Sequence, residues 1–270
     1  MLADGALEKM IRKILDSPKY RGLGIPPESV QDLLERELKV QNDPKQAEKK
    51  AREKLHQIIA PYLGDPDYPT AESALTEAAD AGEQAVRDWC TAQLQSHAST
   101  RERLPMMAEF YGRIFEQIGQ PESILDLACA IHPLAFPWMG LPRTTHYHAY
   151  DLHSPRIRLI NQFFTAWGLE PLAEVQDILL SVPAVQADAA FFFKEAHRFE
   201  NRRKGSCRDF FGQLQVRWIV VTLPAENLTA RHQMRDRQRQ LIQKAVEGRD
   251  WKIQEDEVGS EMIFFIDKHG

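Results

Sequence analysis

Asp151 and Asp177 each close a short apolar run, in HAYD and AEVQD, and a third run at 124–128 breaks into small residues and a proline at 129–133. A carboxylate at a strand end can accept hydrogen bonds from a ribose diol. A second, one strand away, can face the amino group of adenine, with Ile178 packing on the ring. A turn or helix-capping aspartate has the same local pattern, so neither residue decides the matter alone. Two acids at successive strand ends beside a small-residue turn point together to an adenosine-containing ligand. Neither GxGxxG nor GxxxxGK[ST] occurs, so the phosphate side of a nucleotide has no cradle. Adenosine without phosphates resolves the mismatch, and S-adenosylmethionine is the cofactor of that description.

Other reactive types carry less. His146 and His148 share a strand face and His153 follows, but no nearby Cys, Asp or Glu completes a tetrahedral set, so structural histidines are preferred and no metal is expected. Cys129 beside His132 suggests a nucleophile, yet a cysteine in a strand-end turn is more often a small packing residue. Two basic stretches weigh more. Arg198, Arg202, Arg203, Lys204 and Arg208 follow the fourth strand; Arg231, His232, Arg235, Arg237 and Arg239 follow the fifth. One such run is ordinarily a solvated helix face. Two at carboxyl ends of strands favour contacts to nucleic-acid phosphates. The N-terminal third adds Lys9, Arg12, Lys13, Lys45, Lys49 and Lys50, diluted by acids.

The elements that must position these groups are α/β. Strands are predicted at 124–128, 146–151, 172–177, 188–193 and 216–223, with helices at 155–167, 199–214 and 230–247, and a closing antiparallel pair at 251–257 and 261–267. Apolar runs alternating with helices argue for a parallel sheet with both faces covered. In such a sheet the ligand sits at the carboxyl ends of the strands, where the 128–133 turn falls. Ahead of Ile124 only helices are expected, at 1–20, 29–41, 45–59 and 71–95, with a loop marked by Pro61, Gly64, Pro66 and Pro69. The chain therefore divides into a helical unit, 1–105, and an α/β domain, 106–270.

The 270 residues carry a formal net charge of −5, which argues against a polycation coating nucleic acid but leaves room for a local basic face. Three cysteines, an odd count without CxxC spacing, argue against a disulfide framework or a structural zinc and fit a reducing cytoplasm. Neither a signal-peptide core nor a membrane-spanning run is found, so a cytoplasmic protein is expected.

Several segments resemble the aminoglycoside-resistance 16S rRNA (guanine-N7) methyltransferases of the Arm/Rmt type: SPKYRGL, AEKKAREKLHQI, HASTRERLPMMAEFYGRIF, SILDLACAIHPLAFPWM, YHAYDLH, VQDIL, FFFKEAHRFE, WIVVTLP and VGSEMIFFI. The resemblance implies a Rossmann-like class I S-adenosylmethionine-dependent methyltransferase domain behind a helical RNA-binding N-terminal domain. It implies methylation of N7 of a decoding-site guanosine in the small ribosomal subunit, with S-adenosylhomocysteine as product. His97, Ala98 and Ser99 would line the cofactor pocket, with Ile59 and Arg202 as further lining positions. Arg103 would hold the methionine carboxylate and Ala128 would lie beside the cofactor. Asp151 would take the ribose, and Asp177, Ile178 and Phe193 the adenine. Lys194, Glu200, Arg231 and Met234 match positions around the target base. Guanine N7 has a free lone pair, so no general base is expected. The chain departs from the pattern at Ala130 (usually glycine), His132 (usually asparagine), Arg202 (usually glutamine) and the altered loop at 224–234. Two other readings stay open: a methyltransferase on another RNA position or a small molecule, and a non-catalytic RNA-binding relative. A monomer is the default.

Overall fold

A computed structural model describes residues 5–59, 66–225 and 231–270, the side chains of 231 and 232 excepted. Three helices come first, α1 (Ala6–Leu15), α2 (Pro27–Val40) and α3 (Pro44–Ile59). Pro27 and Pro44 each open a helix, the position where a missing N–H costs nothing. Their apolar stripes close on one another through Ile14, Val30, Leu34, Ala51, Leu55 and Ile59, a small core of their own.

The helix predicted over 71–95 is two, α4 (Tyr68–Ala81) and α5 (Glu83–Ser96), parted by Gly82 at a φ of +107° that other residues resist. A one-turn helix, α6 (Ala98–Arg101), and α7 (Met107–Ile118) follow; α7 was not anticipated, although its Phe110, Tyr111 and Ile114 have helical spacing. The sheet then runs through β1 (Ser123–Leu127), β2 (His146–Asp151), β3 (Ala173–Val175), β4 (Ala187–Phe193), β5 (Val216–Pro224), β6 (Lys252–Val258) and β7 (Glu261–Asp267). Between them lie α8 (Ser154–Trp167), α9 (Ala196–Arg202), α10 (Ser206–Gln213) and α11 (Arg231–Val246). The helix expected over 199–214 is broken at Gly205, whose φ is +79°. β3 is shorter than expected because the chain turns away at Asp177, whose carboxylate is held from elsewhere.

The strand order is β3-β2-β1-β4-β5-β7-β6, parallel from β3 to β5 and antiparallel through the final pair. The chain leaves β1 toward one edge and returns at β4 toward the other. The crevice between β1 and β4 is therefore the topological switch point, where ligands bind in open α/β sheets. The expected parallel sheet, its five strands and its closing hairpin are all present.

The division expected at residue 105 does not follow the packing. Leu75, Val86, Trp89 and Leu94 of α4 and α5 belong to the core that α7 and α8 form on one sheet face. Trp89 stacks on Phe163 at 6.4 Å and donates its indole N–H to Ala71 O at 3.1 Å. Among the described residues α1–α3 alone have a core apart from those on the two sheet faces, so along the chain the change of core falls between Ile59 and Ala71. The opposite sheet face is covered by α9, α10 and α11 through Phe199, Phe210, Phe211 and Ile242. Because Trp89 is part of the sheet's core, Trp89→Ala is expected to lower the unfolding free energy by about 3–5 kcal/mol. Urea unfolding followed by circular dichroism measures this; a loss below about 1 kcal/mol would detach α5 from that core.

Candidate cofactor cleft

Among the described residues three non-glycines have positive φ, and all three stand at carboxyl ends of the central strands: Ala128 (+53°) and Ala130 (+48°) after β1, and Lys194 (+59°) after β4. Left-handed backbone costs an L-residue roughly 1–2 kcal/mol, so such clustering marks a functional edge. A cavity of about 460 Å³ opens there, walled by His97, Ala98 and Ser99 and by Ala128, Ala130, Phe193 and Lys194. Seven residues singled out by sequence thus meet, six of them expected site residues and Ala130 a noted departure.

Arg103 lies just behind this wall, almost wholly buried. Its Nε and Nη2 donate to the two Glu261 oxygens at 3.1 and 2.9 Å, and its guanidinium lies 4.5 Å from the Phe110 ring centroid and 5.0 Å from that of Phe193. Lys194 Nζ joins the same carboxylate at 3.0 Å and Glu102 at 2.7 Å. Burial alone would raise the Glu261 pKa, but Arg103 and Lys194 outweigh it and hold the carboxyl below its usual range. Two of the five Arg103 donors are committed to Glu261; the pair fixes the orientation of the others.

Asp151 and Asp177 are also buried and occupied. Asp151 accepts the Ala130 N–H at 2.9 Å, the His153 N–H at 3.1 Å and Arg156 Nη1 at 3.2 Å from each oxygen. It fastens β2 to the turn after β1. Asp177 receives Arg202 Nη1 and Nη2 at 3.0 and 2.7 Å, the Ser29 hydroxyl at 2.7 Å and the Leu179 N–H at 3.2 Å. Neither aspartate forms the cavity wall itself. Ile178 is buried in the same core cluster as Tyr150 and Leu127, and Ile59 turns into the core of α1–α3.

The residues expected near the target divide likewise. Glu200 caps α10, accepting the Gly205 and Cys207 N–H groups at 2.7 and 2.8 Å, on a different part of the surface from the cavity. Helix capping, which the broken 199–214 helix requires, accounts for its position. Met234 is half-buried on α11, with Gln238 Nε2 3.4 Å from its sulfur. The Arg231 side chain and residues 226–230 of the altered loop lie outside the described residues.

Four groups went unnoticed in the sequence: Glu261, Arg156, Ser29 and the setting of His132. His132 is buried, with Nδ1 2.7 Å from Asp126 Oδ2 and Nε2 2.7 Å from the Tyr111 hydroxyl, while Tyr147 donates to Asp126 at 2.8 Å. The imidazole ring lies 4.8 Å from that of Phe193. It is a satisfied core network under the cleft, and Cys129 beside it is kept a thiol by burial, which pushes its pKa well up. A single carboxylate opening the buried run EMIFFID was the signal for Glu261. Among the described residues no three His, Cys, Asp or Glu converge as metal ligands; His146 faces Glu170 at 3.0 Å and His153 faces Tyr68 at 3.1 Å.

The cleft fits S-adenosylmethionine in its charges. A zwitterionic amino-acid end needs a cation and an anion within reach, and the wall supplies Lys194, Arg101 and Arg198 beside Glu102 and Glu195. Its volume is within the range of small-ligand sites.

A doubly wound sheet, a cleft at its switch point and a closing antiparallel pair define a Rossmann-like domain of methyltransferase type. The family model described as Ribosomal RNA methyltransferase (FmrO) matches residues 16–266, and the chain belongs to that family. It is 32% identical over 267 residues to a 16S rRNA (guanine(1405)-N(7))-methyltransferase of Micromonospora echinospora, covering 97% of each chain. A protein of the same name from Frankia casuarinae is 30% identical, over 97% of this chain and 93% of its own. Among solved structures, the 16S rRNA methyltransferase RmtF in complex with S-adenosyl-L-homocysteine superposes with a TM-score of 0.80 at 27% identity, covering 99% of this chain and 100% of its own.

Glu195 yields a pH prediction. Burial pushes its carboxyl up to about 7, against the pull of Arg198 and with a push from Asp151. A carboxyl more readily protonated when folded makes the fold less stable as pH rises from its ordinary value toward 7. Glu195→Gln is therefore expected to raise the melting temperature at pH 8 by roughly 2–6 °C and to leave it unchanged near pH 4.5. Scanning calorimetry at the two pH values checks this; equal shifts at both would remove the buried charge as the cause.

Proposed function

We propose that this chain methylates N7 of the decoding-site guanosine of 16S rRNA, the reaction named for its relatives, with S-adenosylmethionine as donor and S-adenosylhomocysteine as product. The observation that carries the reading is the cavity at the β1–β4 switch point, with both signs of charge on its wall and Arg103 held behind it.

The bound cofactor supplies an electrophilic methyl group. Guanine N7 needs no deprotonation, so the protein's own work is alignment and exclusion of water, effects worth up to about 7–11 kcal/mol when reacting atoms are ideally held. Arg103, oriented by Glu261, receives a carboxylate through its remaining N–H edge. The strained turn at Ala128 and Ala130 brings backbone close to the ligand, and Asp151 keeps that turn in place through the Ala130 N–H. Lys194 stands at the cleft mouth, bridged to Glu102 and Glu261, where it meets incoming RNA. Arg231 and Met234 are assigned to the target side by resemblance. Turning a base out of structured RNA costs about a few kcal/mol, which stacking and phosphate contacts offset.

The substrate is the small subunit, the helices α1–α3 are the RNA-docking unit, and the protein acts as a cytoplasmic monomer. Among the described residues no helix is long and apolar enough to cross a membrane. Methylation at this guanosine is the route to aminoglycoside resistance that the resemblance implies. The test is methyl transfer from labelled S-adenosylmethionine to purified 30S subunits, with reverse-transcription mapping. One mark at the decoding-site guanosine is expected. A mark at another position, or none despite S-adenosylhomocysteine binding, would overturn the assignment of target.

A further inference from the structure

A second cavity, about 340 Å³, lies between α2–α3 and α9 and adjoins the first along Glu195 and Arg198. Leu33 and Ile58 give it apolar wall, and Arg202 stands on its polar side. A heteroaromatic ring, apolar on its faces and polar at its edge, suits such a lining. Asp177, which the sequence assigns to the adenine amino group, is not on the wall. Its side chain is 1% exposed and lies behind Arg202. It already accepts four hydrogen bonds, two from Arg202 and one each from Ser29 and the Leu179 N–H, which fills its lone-pair sites.

Arg202 is differently placed. Two of its five N–H groups go to Asp177, and among the described residues its guanidinium makes no other hydrogen bond. The Arg36 guanidinium donates to the Arg202 carbonyl at 3.1 Å, so α2 holds the end of α9 that carries it.

We propose that Arg202, and not Asp177, is the residue that meets the purine edge of the cofactor, with Asp177 and Ser29 acting as positioning residues for its guanidinium. The proposal rests on S-adenosylmethionine being the cofactor. It changes what the site reads. A carboxylate demands a donor on the purine, the 6-amino group. A guanidinium has donors only and accepts any purine that presents acceptors: N7 or N1 of adenine, O6 and N7 of hypoxanthine. The nucleoside pocket of this chain therefore does not require an amino group at C6, and the N-terminal helices, through Ser29 and Arg36, form part of it.

The test is calorimetric binding of S-adenosylhomocysteine and S-inosylhomocysteine to the full chain and to Arg202→Gln. The wild type is expected to bind the two within about tenfold of each other. A glutamine amide offers the acceptor and donor that match the amino group and N7 of adenine. Arg202→Gln is thus expected to increase the preference for the adenosyl ligand by at least tenfold while still melting cooperatively. Rejection of the inosyl ligand by the wild type by more than about tenfold would overturn the proposal and return the purine to Asp177. So would an unchanged ratio in folded Arg202→Gln. Failure of either ligand to bind the wild type would overturn the cofactor reading itself, an outcome distinct from selective rejection of the inosyl ligand.

Discussion

A carboxylate removed from water must be paired, and around the carboxyl edge of this sheet three buried ones are each paired with a guanidinium. Asp151 has Arg156, Asp177 has Arg202 and Glu261 has Arg103. Losing one partner of such a pair costs about 3–5 kcal/mol, so the pairs tie together whatever carries them. Asp151 joins β2, α8 and the turn after β1. Asp177 joins the end of β3 to α9 and, through Ser29, to α2. Glu261 joins β7 to the segment between α6 and α7, and through Lys194 to the end of β4. The cleft is the space these three ties surround.

The arrangement explains how alanines hold a turn with left-handed backbone. Ala130 at a φ of +48° is strained, and the hydrogen bond from its N–H to Asp151 fixes the strained form. His132, two residues on, fits because Asp126 and Tyr111 satisfy both ring nitrogens. The departures from the family pattern at these positions are thus accommodated inside the fold. Arg202 is a departure of another kind, since it alters the chemistry presented to the ligand.

Much of this was legible in the sequence. The strands were, because a sheet covered on both faces needs continuous apolar runs, and runs such as AAFFF and WIVVTL have few other uses. The strand end at Asp151 was legible for the same reason, whereas β3 stops at Val175, two residues short of Asp177. The partners of those acids were not. Arg103 and Glu261 are 158 residues apart, and no local pattern encodes which distant cation meets which acid. Arg156 lies among Ile157, Leu159 and Ile160 and reads as an ordinary helix residue until its burial is seen. The boundary at 105 failed because α4 and α5 have apolar stripes like those of α1–α3, and periodicity shows that a helix has a buried face without showing what it is buried against.

The most direct test is a crystal structure of the chain with S-adenosylhomocysteine. The account requires the ligand in the crevice between β1 and β4, its carboxylate on the outer edge of Arg103 and the Arg103–Glu261 and Arg156–Asp151 pairs intact. A ligand bound elsewhere, or an Arg103 that has left Glu261 to reach it, would contradict the claim that these buried pairs set the cofactor site in advance.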